Sequence, residues 1–565
     1  MSFRRSWLDR LSRSFFGPSV RTRRGSGRPL PVEALEDRKY LSATMTLLNS
    51  GHTLSIVGDR SDNHIAIAQT DHNVVVTADG APAQSFTGIT SILVSTGDGN
   101  DDVRVIYGFN PQPDPPGDTL RPSFDLRVSL GAGDDTFVGD IMFPPGPCRV
   151  GVDGSLGNDN VTFRTAVDPN DRGLNHPNDA SALFYANLGA GDDVFNGDFV
   201  FPPDPCQVIV VGGDGNDVVA CIDRNSRGLI GLSASNTVFS VDLGAGNDVF
   251  NGDFAFPPGP CRVTVNAGAG DDVVKLNAML DHNAGGFNFS TNLGLGNDRF
   301  DGNVQFPSDP YMPTNTAFPP GPCRVSVMGD GGADSINALI GLLSNATPVG
   351  DAQLPIEVIL NGGDGNDFVQ SAFGNLNLNG RTTVDLQGGL GNDVVMQKFN
   401  NVTINAGLDL NASGGAGDDY VILSAKGEST ATTNATPQLY VNSQVRMNLQ
   451  GDAGNDKLIG LIQPCIMPVG SLDLVFSGGA GNDLFSLLIG LEPVTLDPPT
   501  DRPATPVQDG PIHLAVIGGE GDDQLYLTVQ NLGNSTSPLD IRLDGAPGND
   551  TVVATPGIDT KGWTN

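Results

Sequence analysis

The sequence is poor in the residues on which most catalytic sites and most helices depend. It has six histidines, six cysteines, two tryptophans and seven tyrosines in 565 residues, and only 31 Lys and Arg against 65 Asp and Glu. That deficit of positive charge, a formal net charge of −34, disfavours nucleic acid and anionic membranes as partners and favours cations. No run of about 18 apolar residues is present, so no transmembrane segment is read from the sequence. The cysteines (Cys148, Cys206, Cys221, Cys261, Cys323 and Cys465) form no C-x-x-C pair, which argues against a zinc ribbon. The histidines (His52, His64, His72, His176, His282 and His513) are scattered, with no H-E-x-x-H, and G-x-S-x-G is absent, so no catalytic motif is found. What abounds is turn chemistry. Gly 74 and Pro 40 make up about a fifth of the chain, against roughly 12% in an average protein, which argues against long helices.

The few cations are unevenly placed. Residues 1–40 carry ten Arg and Lys and four acids, net +6, which leaves 21 basic and 61 acidic groups, net −40, for the remainder. A basic leader, residues 1–43, disordered or export-related, therefore precedes a long acidic body. Arg4-Arg5-Ser6-Trp7-Leu8 has the look of a twin-arginine signal, but Asp9, Arg10 and Arg13 interrupt the apolar stretch that should follow.

A repeat organises the body. The string G-x-G-[N/D]-D occurs twelve times, beginning at Gly97, Gly131, Gly189, Gly213, Gly244, Gly268, Gly294, Gly363, Gly389, Gly415, Gly479 and Gly519. Looser copies end at Asp159, Asp334, Asp456 and Asp550, and the sixteen final Asp residues are spaced 24 to 40 apart. Apolar alternation flanks each copy, as in Leu126-Arg127-Val128-Ser129-Leu130 before one turn and Thr136-Phe137-Val138 after it. Period two with β-branched residues between glycines reads as short strands. The expected fold is all-β, a parallel β-solenoid (β-helix or β-roll-like) of about 25–35-residue units over residues 96–555. Residues 44–95 read as an N-terminal β cap and residues 556–565 as a frayed tail.

A second repeat, F-P-P-x-P-C, ends at Cys148, Cys206, Cys261 and Cys323. Proline cannot donate to a ladder, so it reads as a rigid corner entering a strand. If two G-N-D turns make one large coil, these cysteines are near neighbours and could pair. If each turn marks its own coil, they lie about 10 Å apart, beyond disulfide reach. Buried apolar thiols are then the expected role.

The final Asp is present in all twelve full copies, whereas the residue before it is Asn in seven and Asp in five. A turn explains Gly and Asn; it explains a fixed Asp less well. Stacked coils would set these carboxylates about 4.8 Å apart, where neighbouring charges repel by ~0.9 kcal/mol in water and several-fold more when partly buried. A divalent cation between turns would turn repulsion into attraction, and carboxylate plus carbonyl oxygen is the ligand set that Ca²⁺ prefers.

Six stretches (Gly212–Val219, Gly362–Val369, Gly388–Val395, Gly414–Val421, Gly478–Phe485 and Gly518–Leu525) match G-G-x-G-x-D-x-U, with U a large apolar residue. In this the chain resembles the hemolysin-type (RTX) calcium-binding repeat. The resemblance implies a β-roll-like stack that binds Ca²⁺ between successive turns. Its ligands would be Asp217, Asp367, Asp393, Asp419, Asp483 and Asp523. Copies lacking only the first glycine add Asp135, Asp193, Asp248, Asp272 and Asp298 as second-rank candidates. The family's nonapeptides run in tandem, whereas turns here are at least 24 residues apart, so each coil must be larger. The alternative is a tight β-helix turn with a solvated Asp.

Residues 32–43, V-E-A-L-E-D-R-K-Y-L-S-A, resemble a segment near the start of many exported or surface proteins of planctomycete bacteria, with Tyr40 in place of the usual Leu. That resemblance implies export. The expected function is a non-enzymatic, extracellular or cell-surface Ca²⁺-binding solenoid with a structural or adhesive role, its partners calcium ions and surface polysaccharide or other surface proteins. Two alternatives stand beside it. One is a β-helix polysaccharide lyase or hydrolase, for which the polar loop Asp168–Asp179, with Arg172 and His176, is the best single place. The other is a glycan-binding protein, which the few aromatics support poorly.

Overall fold

A computed structural model of the chain describes residues 43–563, apart from 71–72, 109–122, 144–145, 167–180, 201–204, 225–235, 256–259, 281–285, 307–320, 342–349, 353, 427–438, 467–469, 492–509 and 531–537. Residues 1–42 of the basic leader, the loop at 168–179 and part of each proline-rich corner lie outside the described residues.

Alternation of apolar and polar residues produces what period two dictates: strands with one buried and one outward face. In Cys206–Asp214 the residues Cys206, Val208 and Val210 are buried while Gln207, Ile209 and Val211 face outward. A three-residue turn follows, and then Val218–Arg224 buries Val219 and Cys221. This strand–turn–strand unit is one coil of a parallel β-solenoid. First strands stack on first strands and second on second, building two parallel sheets whose buried faces enclose a single apolar core.

Register fixes the size of a coil. Gly189 pairs with Gly213 and Gly213 with Gly244, so consecutive motifs are consecutive rungs and each coil holds one turn. Variation in repeat length falls between the end of a second strand and the start of the next coil. Phe199 and Cys206 bound one such connection, Ala166 and Ala182 another. One turn per coil also decides the cysteine question. Cys148, Ala182, Cys206, Thr237, Cys261, Phe287 and Cys323 follow one another rung by rung. The thiols are therefore two strands, about 9.6 Å, apart. All six cysteines are buried, and burial pushes Cys148, Cys221, Cys323 and Cys465 up to about 12.

Phenylalanine fills the core along the axis. Phe184 packs on Phe199 at 5.4 Å, Phe199 on Phe239 at 6.0 Å and Phe239 on Phe254 at 5.0 Å between ring centroids. The F-N-G-D-F strands make this possible, since a Cβ at Gly197 would strike the rings of Phe195 and Phe199, and one at Gly252 those of Phe250 and Phe254. Each glycine is the hole into which neighbouring rings lean.

Both ends are closed. At the N-terminus β1 (Thr44–Leu48) pairs antiparallel with β2 (Thr53–Val57). A meander of β3 (His64–Thr70), β4 (Asn73–Ala78) and β5 (Gln84–Thr87) is likewise antiparallel. The parallel stack begins where β6 (Ser91–Asp98) joins β2 and β7 (Asp102–Gly108) joins β3. At the C-terminus, Trp563 is fully buried against Phe485 and donates its indole N–H to Thr551 O at 3.0 Å. The main chain of Gly562 accepts from Gly545 N at 3.0 Å. Residues 556–563 thus form a lid, not the frayed tail that their composition suggests, because one large apolar side chain has the last open rung to cover.

Candidate metal-binding ladder

The turn geometry follows from two glycines. In the coil of Asp217, Gly213 and Gly215 have φ of 123° and 134°, values that a side chain resists. Space forbids one as well: a Cβ on Gly213 would overlap the carbonyl oxygen of Gly189 in the preceding coil, and one on Gly215 that of Gly191. The looser copies depart at the first of these positions, where Ser155, Asp330, Asp452 and Ala546 take positive φ themselves (82°, 69°, 75° and 59°).

This tight stacking aims the last two residues of each turn in opposite directions. The final Asp points inward. All eleven candidate ligands (Asp217, Asp367, Asp393, Asp419, Asp483, Asp523, Asp135, Asp193, Asp248, Asp272 and Asp298) are buried, at most 2% exposed, and stand in one row. The row also holds Asp101, Asp159, Asp334, Asp456 and Asp550, which close copies of the motif but were not singled out as ligands; their position in the repeat was the signal. Each carboxylate accepts, at Oδ1, the backbone N–H of the corresponding residue one coil earlier. Asp193 N donates to Asp217 at 2.9 Å and Asp217 N to Asp248 at 2.7 Å. The series runs unbroken from Asn63, which donates to Asp101, through to Asp550.

The preceding Asn or Asp points outward and works in the reverse sense: its Oδ1 accepts the N–H of the next coil. Asn216 N donates to Asp192 Oδ1, and Asn247 N to Asn216 Oδ1, both at 2.8 Å. An acceptor is all this ladder needs, which is why Asn and Asp alternate freely there. It breaks once. Ala333 takes a bond from nothing, and the N–H of Asn366 has no acceptor among the described residues, although Asn366 still serves Asn392 at 2.7 Å.

The inner ladder leaves something over. In all sixteen Asp residues, Oδ2 is buried without a hydrogen-bond partner. An ionised carboxylate oxygen in that position is costly unless a cation or a proton reaches it. Desolvation, opposed by the N–H bond and aided by neighbouring carboxylates, pushes Asp159, Asp217, Asp272, Asp367, Asp419 and Asp456 up to about 7. Asp135, Asp298, Asp334 and Asp483 rise to about 6 for the same leading reason.

The first glycine of G-G-x-G-x-D has a distinct role. A Cβ on Gly212 would overlap both Asp217 Oδ2 and the carbonyl oxygen of Leu243 in the next coil. The same holds for Gly362 with Asp367 Oδ2 and, at 2.5 Å, Gly388 O. That glycine therefore bares a carboxylate oxygen and a carbonyl oxygen to each other. In the second-rank coils, buried Leu130, Leu188, Leu243, Leu293 or Ala267 stands there instead. The donor set fits a hard cation in kind, oxygen only and acceptor only. No group of three or more His, Cys, Asp or Glu side chains converges among the described residues, so an ion here would be held between successive carboxylates with backbone carbonyls completing its shell. No known protein-family model matches the chain, and no curated protein matches it significantly.

Proposed function

We propose that this chain is an exported, calcium-binding β-solenoid with a structural, surface or adhesive role. The observation that carries the reading is the row of sixteen buried, partnerless Oδ2 atoms: a scaffold with no use for their charge would be better served by Asn, which keeps the Oδ1 acceptor. Asp217, Asp367, Asp393, Asp419, Asp483 and Asp523, each with a glycine five residues earlier, would hold ions. Beside all of these but Asp419 that glycine opens a next-coil carbonyl, and Gly154, Gly329 and Gly451 do the same beside Asp159, Asp334 and Asp456, which join them as ligands. Bound Ca²⁺ would supply positive charge where like charges stack, and so stabilise the folded state in proportion to its free concentration. The basic leader and its resemblance to exported proteins support a setting outside the cell, where the ion is plentiful.

One observation favours a second reading. Every Oδ1 is already satisfied by a backbone N–H, so the turn can stand without metal, its carboxyls protonated. Calcium titration of the chelator-treated protein, followed by far-ultraviolet circular dichroism and by bound-ion stoichiometry, separates the two. Calcium should raise the β signal or the thermal midpoint where Mg²⁺ does not, and D217N/D367N/D393N should lower the stoichiometry. A variant that binds as many ions, or a wild type indifferent to calcium, would reject the first reading.

A further inference from the structure

The outward faces of the strands carry a chemistry unlike the rest of this acidic body. On the first sheet, Arg262, Asn288 and Arg324 occupy consecutive rungs in register, and so do Thr264, Ser290 and Ser326 two residues further along. These six residues line a shallow groove of about 300 Å³. Every one offers a hydrogen-bond donor, two are permanently cationic, and none is acidic.

Elsewhere on this face most arginines are paired with carboxylates; Arg149 has no ion pair among the described residues but stands in register with Asp125. Arg127 Nε lies 3.7 Å from Asp125, and Arg381 Nη2 lies 2.5 Å from Asp409. Arg324 has a half-exposed partner, Glu357 at 3.6 Å. Arg262 is different: its neighbours in the same row are Val238 and Asn288, and among the described residues no carboxylate lies within ion-pair distance of it. On a body of net charge −40, this is an unbalanced cation at the lip of a polar groove.

We infer that the groove of Arg262, Asn288, Arg324, Thr264, Ser290 and Ser326 binds a short acidic oligosaccharide along the solenoid axis. Two arginines on rungs about 9.6 Å apart suit carboxylate or sulfate groups on non-adjacent parts of one chain, gripped in bidentate fashion. The amide and three hydroxyls between and beside them suit sugar hydroxyls. The groove has no aromatic platform for stacking nucleobases, and the surrounding negative field turns away a long polyanion. A short glycan segment is what remains.

The test uses the whole chain both in calcium and in chelator, with far-ultraviolet circular dichroism establishing the β signal in each, so that failure of the groove and failure of calcium binding are read separately. Isothermal titration with tri-galacturonate, maltotriose and inorganic sulfate is compared for wild type, R262Q, R324Q, the double variant, and R127Q as a control on the same face. Tri-galacturonate should bind, weaken by about tenfold in either single variant, and fail to bind in the double; R127Q should match wild type and maltotriose should not bind. No saturable binding of tri-galacturonate, or equal binding by R262Q/R324Q, overturns the site. Sulfate binding as tightly as the trimer overturns the sugar.

Discussion

Ala333 is the one place where the outer ladder is interrupted, and filling it tests the account of the turns. Asn stands at this position in ten of the sixteen coils and Asp in five, so the backbone accepts either residue. In the variant A333N, Oδ1 would lie where its counterparts accept the next coil's N–H at 2.7–3.1 Å, and the bare N–H of Asn366 would gain an acceptor. A net neutral hydrogen bond is worth about 0.5–1.5 kcal/mol, and this exposed position argues for the lower half. Global unfolding of so long a chain would blur that gain, so the assay is amide hydrogen exchange at Asn366, with Asn392 as the bonded reference. Exchange at Asn366 should start fast and slow by about tenfold in A333N. A333D should do nearly as well and A333L should do nothing. If Asn366 is already as protected as Asn392 in the wild type, or if A333L protects it equally, the ladder is not what holds these turns together.

Three further outcomes are expected. In chelator, burial raises Asp135 to about 6 and Asp159, Asp217 and Asp272 to about 7 in the folded state, against about 3.9 unfolded. The folded state therefore binds more protons between those values, and stability should be fully enhanced below about pH 4 and lost as pH rises through 7. Urea midpoints at pH 5 and pH 8 check the sign, and D159N/D217N/D272N should flatten the dependence. Gly365 (φ 151°) meets Gly332 O, whereas nothing lies within 4 Å of a Cβ on Gly151. G365A should thus cost about 3 kcal/mol or more and G151A almost nothing, as read by denaturant midpoints; equal costs would refute the stacking argument. W563A removes the indole packed 5.4 Å from Phe485 and should cost about 3 kcal/mol, seen as faster exchange confined to Leu539–Asp544 and Thr551–Ala554; unaltered exchange there would mean that Trp563 caps nothing.

Much of this molecule is determined by sequence alone, because its order is local. Period-two alternation around G-x-G-[N/D]-D requires a strand, a glycine-dependent reversal and a second strand, repeated; a parallel solenoid is the way to bury all those inner faces at once. The row of Asp residues was equally legible, since whatever recurs at a fixed place in a coil recurs along one line in the stack. Tertiary structure alone decided what sequence spacing could not. Whether Gly189 meets Gly213 or Gly244 is a matter of register, and register settles both the size of a coil and the separation of Cys148 from Cys206. Only packing reveals that the two polar residues ending a turn face opposite ways: Asp217 is sealed in beside Gly212, while Asn216 reaches outward to the next coil. The role of Trp563 and the groove at Arg262 were hidden for the same reason. A tryptophan becomes a cap, and an arginine a lone cation, only when distant rungs are set side by side.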